Sequence, residues 1–421
     1  MDRKTGLYIT IGFFAGILLT LGFKDVYPDL ERRYKQRRRR LSAAAARKRQ
    51  QSSSFLPGSS AQKVRLEDHT HYPITSSNPG GRLSHVRKEI PEGIEGCIGN
   101  TPLFRIKSLS EATGCEILAK AEFLNAAGQS PKDRVALSII RTAESEGLLT
   151  PHSGDTIYEG TVGSTGISLA TVGRALGYHA HICMPDDQSV EKSDLLLKLG
   201  AEVERVRPAP IVDQGQFVNV AARRAREHSP SPDKTGRGLF ADQFENEANW
   251  RAHFEGTGPE IFEQCSGELD AFVAGAGTGG TISGVALYLK PLLPNLKIIL
   301  ADPQGSGLYN RVKYGVMFDV KEREGTRRRH QVDSIVEGVG VNRVTRNFEK
   351  GRELVDDAVR VGDEQAVAMA RWLVERDGIF VGSSSAVNCE FDHSDPFLSL
   401  SIFLEKAVLH ILHLSIVLIC D

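Results

Sequence analysis

The chain has 421 residues, with 52 Lys and Arg against 53 Asp and Glu, so its formal net charge is −1 at pH 7. This near-neutral balance argues against nucleic-acid binding driven by a large positive charge, and no nucleic-acid partner is expected. The six cysteines form no Cys-x-x-Cys pair, so neither a disulfide framework nor a zinc site is indicated. We expect buried free thiols, no metal, and one large or two moderate domains.

Residues 5–23 form an uncharged, mostly apolar stretch between Lys4 and Lys24. A helix of about 19 residues, rising about 1.5 Å per residue, nearly matches a hydrocarbon core about 30 Å thick. The strongly basic residues 31–40 follow, and there is no small-residue cleavage site of the kind that ends a secretory signal. We therefore predict a retained transmembrane anchor in residues 1–24, with the downstream chain kept cytosolic by the positive-inside rule.

The rest of the chain divides by composition. Residues 25–82 contain few large apolar residues, which is typical of a basic, disordered tether. Beyond them, strand-like apolar runs alternate with helical patterns, which predicts an α/β fold with two three-layer α/β/α domains and mostly parallel sheets. We assign this globular region to residues 83–390, with a smaller subdomain at about 125–240 and a larger domain formed by 83–124 and 241–390.

A glycine-rich turn at residues 275–281 lies between a strand-like run and a helical pattern. Such a turn lacks bulky side chains and exposes backbone N–H groups at a helix N-terminus, where phosphate groups bind. Gly275, Gly277 and Gly280 also satisfy the dinucleotide fingerprint, with Asp302 about 20 residues further on. On these residues alone, a phosphorylated cofactor and a nicotinamide dinucleotide both stay open as the ligand.

Four weaker signals lie elsewhere in the globular region. Lys132 sits at a loop-to-helix junction, where a lysine can form a Schiff base with an aldehyde cofactor, although alone it is typical of a surface lysine. Residues 161–166 form a second small-residue turn that offers N–H groups and hydroxyls to a carboxylate or phosphate. Gln243 begins a polar loop, and Ser384 follows a strand-like run, where it either donates to a ring nitrogen or caps a helix.

These signals occur in a fixed order that resembles the cysteine synthase and cystathionine β-synthase family. That family depends on pyridoxal phosphate and has the tryptophan-synthase-β fold, fold type II. The resemblance covers about residues 89–387, and within it the chain is most similar to the fungal membrane-anchored mitochondrial branch. The segments that carry it are residues 98–103, 132–134, 161–166, 243–244, 257–261, 277–281, 337–340 and 382–386.

The resemblance implies that pyridoxal phosphate is the cofactor and that Lys132 is its Schiff-base lysine, which then acts as general base and acid. Ser384 matches the serine that faces the pyridine nitrogen, where a neutral hydroxyl suits β-elimination and replacement. The residues that match the phosphate-binding turn, here called the phosphate cup, are Gly277, Thr278, Gly279, Gly280 and Thr281.

The resemblance also assigns the substrate-binding residues. Residues 161–166, here called the carboxylate loop, match the loop that clasps the substrate carboxylate. Ser164 replaces an asparagine that bonds the cofactor's 3′ oxygen in the family, so it is a candidate for both cofactor and substrate binding, and that bond is expected to be lost or bridged by water. The substrate-binding candidates are Thr161, Gly163, Ser164 and Thr165, with Gln243 beside them and Gly338 near the reactive face.

The activity implied is the formation of L-cysteine from O-acetyl-L-serine and sulfide through an aminoacrylate intermediate, in a homodimer. Cystathionine β-synthase or serine/threonine dehydratase activity, an NAD(P) oxidoreductase and a catalytically impaired anchored homologue are the alternatives. The anchor resembles signal anchors of the mitochondrial outer membrane, with the catalytic region facing the cytosol. The endoplasmic reticulum and other mitochondrial membranes are the alternative locations.

The sequence departs from the family pattern most strongly at its C-terminal side. Val162 and Ala386 replace a serine and a glycine of the commoner motifs. After Val387 the family continues with a long helix, a core strand and an Asp-Ser-Gly motif, none of which is recognisable here. Residues 391–421 are expected to be an atypical, truncated or mis-spliced tail, and a missing core strand is expected to expose a sheet edge.

Overall fold

The computed structural model describes residues 90–228, 236–319 and 334–390, together with the backbone of residues 414–419. All of them belong to one compact unit, Val86–Asp421. The predicted anchor and tether lie outside the described residues. Within the described ranges, no helix has both the length and the apolar character needed to cross a membrane.

The described part of the chain contains two sheets. The smaller has the strand order β5-β4-β3-β6, and the larger has the order β1-β2-β10-β7-β8-β9. The strands are β1 (Leu103–Arg105), β2 (Glu116–Ala121), β3 (Thr156–Gly160), β4 (His179–Pro185), β5 (Glu202–Val206), β6 (Gly238–Phe240), β7 (Ala271–Ala274), β8 (Lys297–Pro303), β9 (Asp357–Val361) and β10 (Leu414–Ile419).

Helices connect most of these strands, and most of the helices are short. A π-helical turn, His253–Thr257, joins α6 to α7. The α-helices are α1 (Lys107–Thr113), α2 (Lys132–Ser145), α3 (Ser164–Ala175), α4 (Val190–Lys198), α5 (Phe217–Arg226), α6 (Ala248–Ala252), α7 (Gly258–Gln264), α8 (Gly280–Leu292), α9 (Leu308–Tyr314), α10 (Arg346–Gly351), α11 (Asp363–Asp377) and α12 (Ser383–Cys389).

The four-stranded sheet is parallel throughout. Successive residues of a strand point to opposite faces, so each strand can bury two apolar surfaces. Ile182 of β4 packs with Leu196 of α4, whereas its neighbour Cys183 packs with Val218 and Ala221 of α5. Helices therefore cover both faces, which gives the three-layer arrangement expected for a parallel sheet.

The six-stranded sheet is mixed. β7, β8 and β9 are parallel, while β1 and β10 run antiparallel to their neighbours. Phe272 of β7 packs with Ile282 and Val285 of α8, and the next residue, Val273, belongs to the cluster that contains Leu373 of α11. The predicted α/β fold with parallel strands is confirmed, with antiparallel pairing confined to β1 and β10.

The tail supplies a strand to the interior of the larger sheet. β10 lies between β2 and β7 and is antiparallel to both, with Leu414 opposite Ala121 and Ile416 opposite Val273. The expected open edge is therefore absent between β2 and β7 in the part of the chain that the structure describes. Pairing on both sides satisfies the backbone N–H and C=O groups of the tail strand and of its two neighbours.

Five of the six cysteines fall within the described residues, and no disulfide joins any of these five. Cys183, Cys265 and Cys389 are buried, as expected. Cys115 is half-buried and Cys97 is exposed, so the expectation of burial is wrong for Cys97.

Candidate active site

The phosphate cup and the carboxylate loop both follow the carboxyl end of a parallel strand. β7 leads through the cup into α8, and β3 leads through the loop into α3, which begins at Ser164. Ligands of open α/β sheets bind at this edge, because the helix N-termini and connecting turns converge there.

The glycines of the phosphate cup are enclosed by other residues. A Cβ on Gly277 would lie 2.3 Å from the carbonyl oxygen of Gly338, and one on Gly280 would lie 1.9 Å from Asn249 Oδ1. Gly279 has a φ of +80°, and a Cβ there would lie 2.5 Å from Cβ of Phe348. Since no side chain fits, the backbone at the start of α8 is left to line the cup.

Lys132 is the first residue of α2 and lies against the cup. Its Nζ is 3.4 Å from the hydroxyl oxygen of Thr278, and its backbone N–H donates to Ser130 Oγ at 3.3 Å. Burial lowers the pKa of the Lys132 amine to about 8, because the charged form is disfavoured away from water. The neutral fraction of this amine near physiological pH is therefore much larger than for an ordinary lysine, although the charged form still predominates.

The residues after Lys132 fix the start of α2. The carboxylate of Asp133 accepts hydrogen bonds from the Gly128 N–H at 2.7 and 2.8 Å and from Ser168 Oγ at 2.6 Å. These bonds tie the loop before Lys132 to helix α3.

Arg134 is the centre of a buried ionic network behind the lysine. It contacts Glu122 at 2.8 Å and Glu260 at 2.6 Å, and Lys120 lies 2.6 Å from Glu260. Burial opposes ionisation of Glu260, yet hydrogen bonds from Arg134 outweigh it and lower the pKa of Glu260 to about 2. Removing one member would leave a buried charge unpaired, so the network holds α2 in one position.

The carboxylate loop meets the Gln243 segment. Thr165 Oγ1 donates to Gln243 Oε1 at 2.5 Å, and the Thr161 N–H donates to the Cys183 carbonyl at 3.0 Å. A Cβ added to Gly163 would have no atom within 4 Å, so the loop is open at that residue. The structure therefore brings Thr165 and Gln243 together, as the resemblance implies.

The side chain of Glu159 is buried beneath the carboxylate loop, and the sequence did not identify it as a site residue. Its Oε2 accepts from the Gln243 N–H at 3.4 Å, and its Oε1 has no partner among the described residues. Burial, reinforced by the nearby Asp242, raises the pKa of Glu159 to about 8. No motif marked this glutamate, which reads as an ordinary strand residue.

Gly338 and helix α12, which contains Ser384, contact the glycine-rich turn. Gly338 has a φ of +83°, which favours glycine, and its carbonyl packs on Gly277. Ser384 is buried in α12. Four residues later in the same helix, Asn388 Oδ1 accepts from the Gly275 N–H at 2.7 Å and ties α12 to the start of the glycine turn.

Several buried polar residues around the cup were not assigned from the sequence. The two ring nitrogens of His253 contact the hydroxyls of Thr257 at 2.9 Å and Thr281 at 3.2 Å. Burial lowers the pKa of His253 well below its usual value, so the ring is neutral. Thr345 Oγ1 donates to the Thr278 carbonyl at 2.7 Å.

Two asparagines join the cup to the Gln243 segment, and they too were missed. Asn249 donates from Nδ2 to the Gln243 carbonyl at 2.7 Å and to Thr278 Oγ1 at 3.0 Å. Asn347 donates to the carbonyls of Gln243 at 3.1 Å and Phe244 at 2.7 Å. Their role depends on contacts between distant segments, which no local sequence pattern marks.

The carboxylate of Asp302 is not accessible to a ribose. It is fully buried, and its Oδ2 accepts from the Tyr309 N–H at 2.7 Å. Burial raises the pKa of Asp302 to about 7. The residue that supported a dinucleotide thus has a structural role at the start of α9.

One cluster outside this site has metal-ligating side chains. Ligand atoms of His181, Cys183 and Glu204 lie within 4.8 Å of one another. However, Arg224 already bonds both carboxylate oxygens of Glu204, at 2.7 and 2.9 Å. Hydrogen bonds from Arg224 lower the pKa of Glu204 to about 2. The carboxylate of Glu204 is therefore engaged in an ion pair with Arg224, and we do not assign the cluster as a metal site.

Comparison with known proteins agrees with this geometry. A family model described as pyridoxal-phosphate dependent enzyme matches residues 94–390. Cysteine synthase 2 of Emericella nidulans is 65% identical over 399 residues, which are 92% of this chain and 87% of that protein. A Saccharomyces cerevisiae protein named as a mitochondrial cysteine synthase is 57% identical over 306 residues, 72% of this chain and 77% of that protein.

A solved structure gives the same result. The crystal structure of O-ureido-L-serine synthase matches with a TM-score of 0.59 at 30% sequence identity, covering 71% of this chain and 84% of that one. The matched family region contains Lys132, both turns and Ser384. The predicted resemblance is confirmed, and the chain belongs to the cysteine synthase group of the pyridoxal-phosphate-dependent enzyme family.

Proposed function

We propose that the protein forms L-cysteine from O-acetyl-L-serine and sulfide by β-replacement. The observation that carries the proposal is the Lys132 amine, with its lowered pKa, held 3.4 Å from Thr278 of the phosphate cup. Relatives named cysteine synthase, 57 to 65% identical to this chain, support the choice of reaction.

The residues present fit pyridoxal phosphate on two observations. The cup excludes side chains at Gly277, Gly279 and Gly280, so a phosphate can approach the backbone at the N-terminus of α8. The amine of Lys132 has a pKa of about 8, and its neutral form is the nucleophile that an aldehyde cofactor requires.

The family resemblance supplies the proposed roles of the surrounding residues. Residues 277–281 would hold the cofactor phosphate, and Ser384 would serve the ring nitrogen. Thr161, Gly163, Ser164 and Thr165 would hold the substrate carboxylate, with Gln243, which is bonded to Thr165, beside them and Gly338 near the reactive face. Ser164 would also replace the asparagine that serves the cofactor's 3′ oxygen in the family.

When bound, pyridoxal phosphate supplies an electron sink that stabilises negative charge at the substrate Cα. The neutral Lys132 amine takes the proton from Cα and later returns one to the same carbon. At Cβ the bond to the acetate oxygen breaks and a bond to the sulfide sulfur forms, so acetate leaves and cysteine is the product. The neutral His253 contacts the Thr281 hydroxyl and adds no charge beside the cup.

The chain's organisation completes the proposal. Residues 1–24 anchor the protein in the mitochondrial outer membrane and residues 25–82 tether a cytosolic catalytic region, residues 83–390, that works as a homodimer. The apolar stretch with its basic flank and the mitochondrial name of one relative support this arrangement. Alkaline extraction of isolated mitochondria and the mass of the detergent-solubilised protein test the anchor and the dimer.

The decisive experiment is a product assay on the full chain. With O-acetylserine and sulfide, the purified protein is expected to show the visible band of its cofactor and to form cysteine, and Lys132→Ala is expected to do neither. Cystathionine from serine and homocysteine, or pyruvate from serine, would instead identify the two related activities. A protein that binds the cofactor and forms none of these products would be an impaired homologue, and a colourless protein that binds NAD would overturn the proposal.

A further inference from the structure

Asn249 connects three parts of the site through one carboxamide. It is fully buried at the start of α6, and its Nδ2 contacts the Gln243 carbonyl at 2.7 Å and Thr278 Oγ1 at 3.0 Å. Gln243 in turn accepts from Thr165 of the carboxylate loop, and Thr278 contacts Lys132.

The partners of Asn249 fix the direction of its carboxamide. A backbone carbonyl can only accept, so the Asn249 atom that faces the Gln243 carbonyl is the nitrogen. An amide nitrogen carries two hydrogens and accepts none. One hydrogen goes to the Gln243 carbonyl, and the other goes to Thr278 Oγ1.

Thr278 therefore accepts a hydrogen bond from Asn249 and cannot donate to it. The same hydroxyl oxygen also faces the Gly280 N–H at 3.5 Å, which can only donate, and Lys132 Nζ at 3.4 Å, which can only donate while the amine is protonated. A threonine hydroxyl has two lone pairs and one hydrogen. With its lone pairs facing donors, the hydroxyl keeps its hydrogen for an acceptor in the cup.

The other end of the Asn249 carboxamide packs against the cup. Its Oδ1 has no hydrogen-bond partner among the described residues and lies where a Cβ of Gly280 would be only 1.9 Å away. Asn347 holds the same segment from the other side through the Gln243 and Phe244 carbonyls but has no contact with Thr278.

We propose that Asn249 is a positioning residue that turns the Thr278 hydroxyl hydrogen towards the cofactor phosphate and joins the phosphate cup to Gln243. The inference rests on the proposed function, because it requires a phosphorylated cofactor in the cup. The inference concerns binding of the cofactor phosphate and not of the pyridine ring. It can therefore be tested separately from the proposed function.

The test measures the affinity of the full-length apoprotein for pyridoxal phosphate and for pyridoxal, which lacks the phosphate. Asn249→Ala is expected to weaken pyridoxal phosphate binding by roughly ten- to a hundredfold, the range for a hydrogen bond to a charged group, and to leave pyridoxal binding unchanged. Asn249→Asp, which keeps the side-chain volume, serves as a second variant with the same expected selectivity.

Two controls separate positioning from folding. Asn347→Ala removes the matched contacts to the Gln243 segment and is expected to raise the KM for the amino acid without changing the preference for the phosphorylated cofactor. In a Thr278→Ala background, Asn249→Ala is expected to have no further effect on phosphate preference, because the hydroxyl that it orients is gone.

Equal losses of pyridoxal phosphate and pyridoxal affinity, or additive effects of Asn249→Ala and Thr278→Ala, would overturn the role of Asn249. A wild-type apoprotein that shows no preference for the phosphorylated form would overturn the proposed function instead.

Discussion

The phosphate cup and the carboxylate loop are built from the same strand–turn–helix connection, yet they differ in how tightly they are enclosed. In the cup, a Cβ on Gly277 or Gly280 would collide with Gly338 or Asn249. In the loop, a Cβ on Gly163 would meet nothing within 4 Å. The difference suits a cofactor that stays bound in the cup and a substrate that enters and leaves the loop in each cycle.

The two turns also differ in the residues that hydrogen-bond their threonines. Thr278 of the cup is held by Asn249 at its hydroxyl and by Thr345 at its carbonyl. In the loop, the Thr165 hydroxyl is held by Gln243, whose backbone N–H faces the buried Glu159. The comparison teaches that the cup requires glycine for packing, whereas at Gly163 of the loop the space beside the backbone is open.

The largest effect is expected for Lys132→Ala, which removes the reactive group that serves both turns. Since the proposed function requires the amine to attach the cofactor and to move the proton at Cα, cysteine formation should fall by at least roughly 10²–10⁴-fold. The check is the rate of cysteine formation together with the visible cofactor band. An active Lys132→Ala protein would remove the lysine from the mechanism.

A pair of alanine substitutions tests the contrast in packing. Gly280→Ala places a Cβ against Asn249, and overpacking of this kind costs about 1–3 kcal/mol, so a lower melting temperature and weaker cofactor binding are expected. Gly163→Ala should keep stability and cofactor binding and change only the KM for the amino acid. Thermal unfolding and cofactor titration of both variants test this prediction. Equal destabilisation by the two substitutions would contradict the tighter packing of the cup.

The pH dependence of cofactor loading follows from the lowered pKa of Lys132. Its value of about 8, against an ordinary 10.5, means that the reactive neutral amine falls by about tenfold per pH unit below 8. Stopped-flow measurement of cofactor attachment to the apoprotein should therefore give a rate that rises with pH and levels off above about 8. A rate still rising towards pH 10.5 would mean that the amine is not desolvated.

A smaller effect is expected at Glu159, on the carboxylate-loop side. Its pKa is raised from 4.5 to about 8, so between these values the folded protein binds more protons than the unfolded chain. The stability associated with this group is present below about pH 4.5 and is lost as the pH rises towards 8. Glu159→Gln should flatten that decline in urea unfolding curves, and an unchanged pH slope would show that the carboxyl is accessible to water.

The two turns and Lys132 could be predicted because their signals are local. A glycine-rich segment between an apolar run and a helical pattern marks the cup, and the helix expected after it is α8, Gly280–Leu292. Asn249 and Asn347 could not be predicted, because they act on Thr278 or Gln243 across long sequence separations. Glu159 was missed because a charged residue inside a strand usually faces solvent.

The tail shows more clearly that contacts across long sequence separations could not be predicted. An apolar run after residue 397 fits a membrane segment, a disordered end or a strand, and only pairing partners distinguish these. β2 and β7 provide those partners in the structure, on both sides of β10. The sequence pattern thus predicted the need for a strand at this point but not the segment that supplies it.

The position of β10 also determines when the larger sheet can form during protein synthesis. β2 ends at Ala121 and β7 at Ala274, whereas the strand between them begins at Leu414. The ribosome therefore releases both neighbours well before the strand that joins them, and their facing backbone groups stay unpaired in the nascent chain. Unpaired strands of this kind are templates for association with other chains. Newly made chains are thus expected to be more prone to aggregation until residues 414–419 have been synthesised.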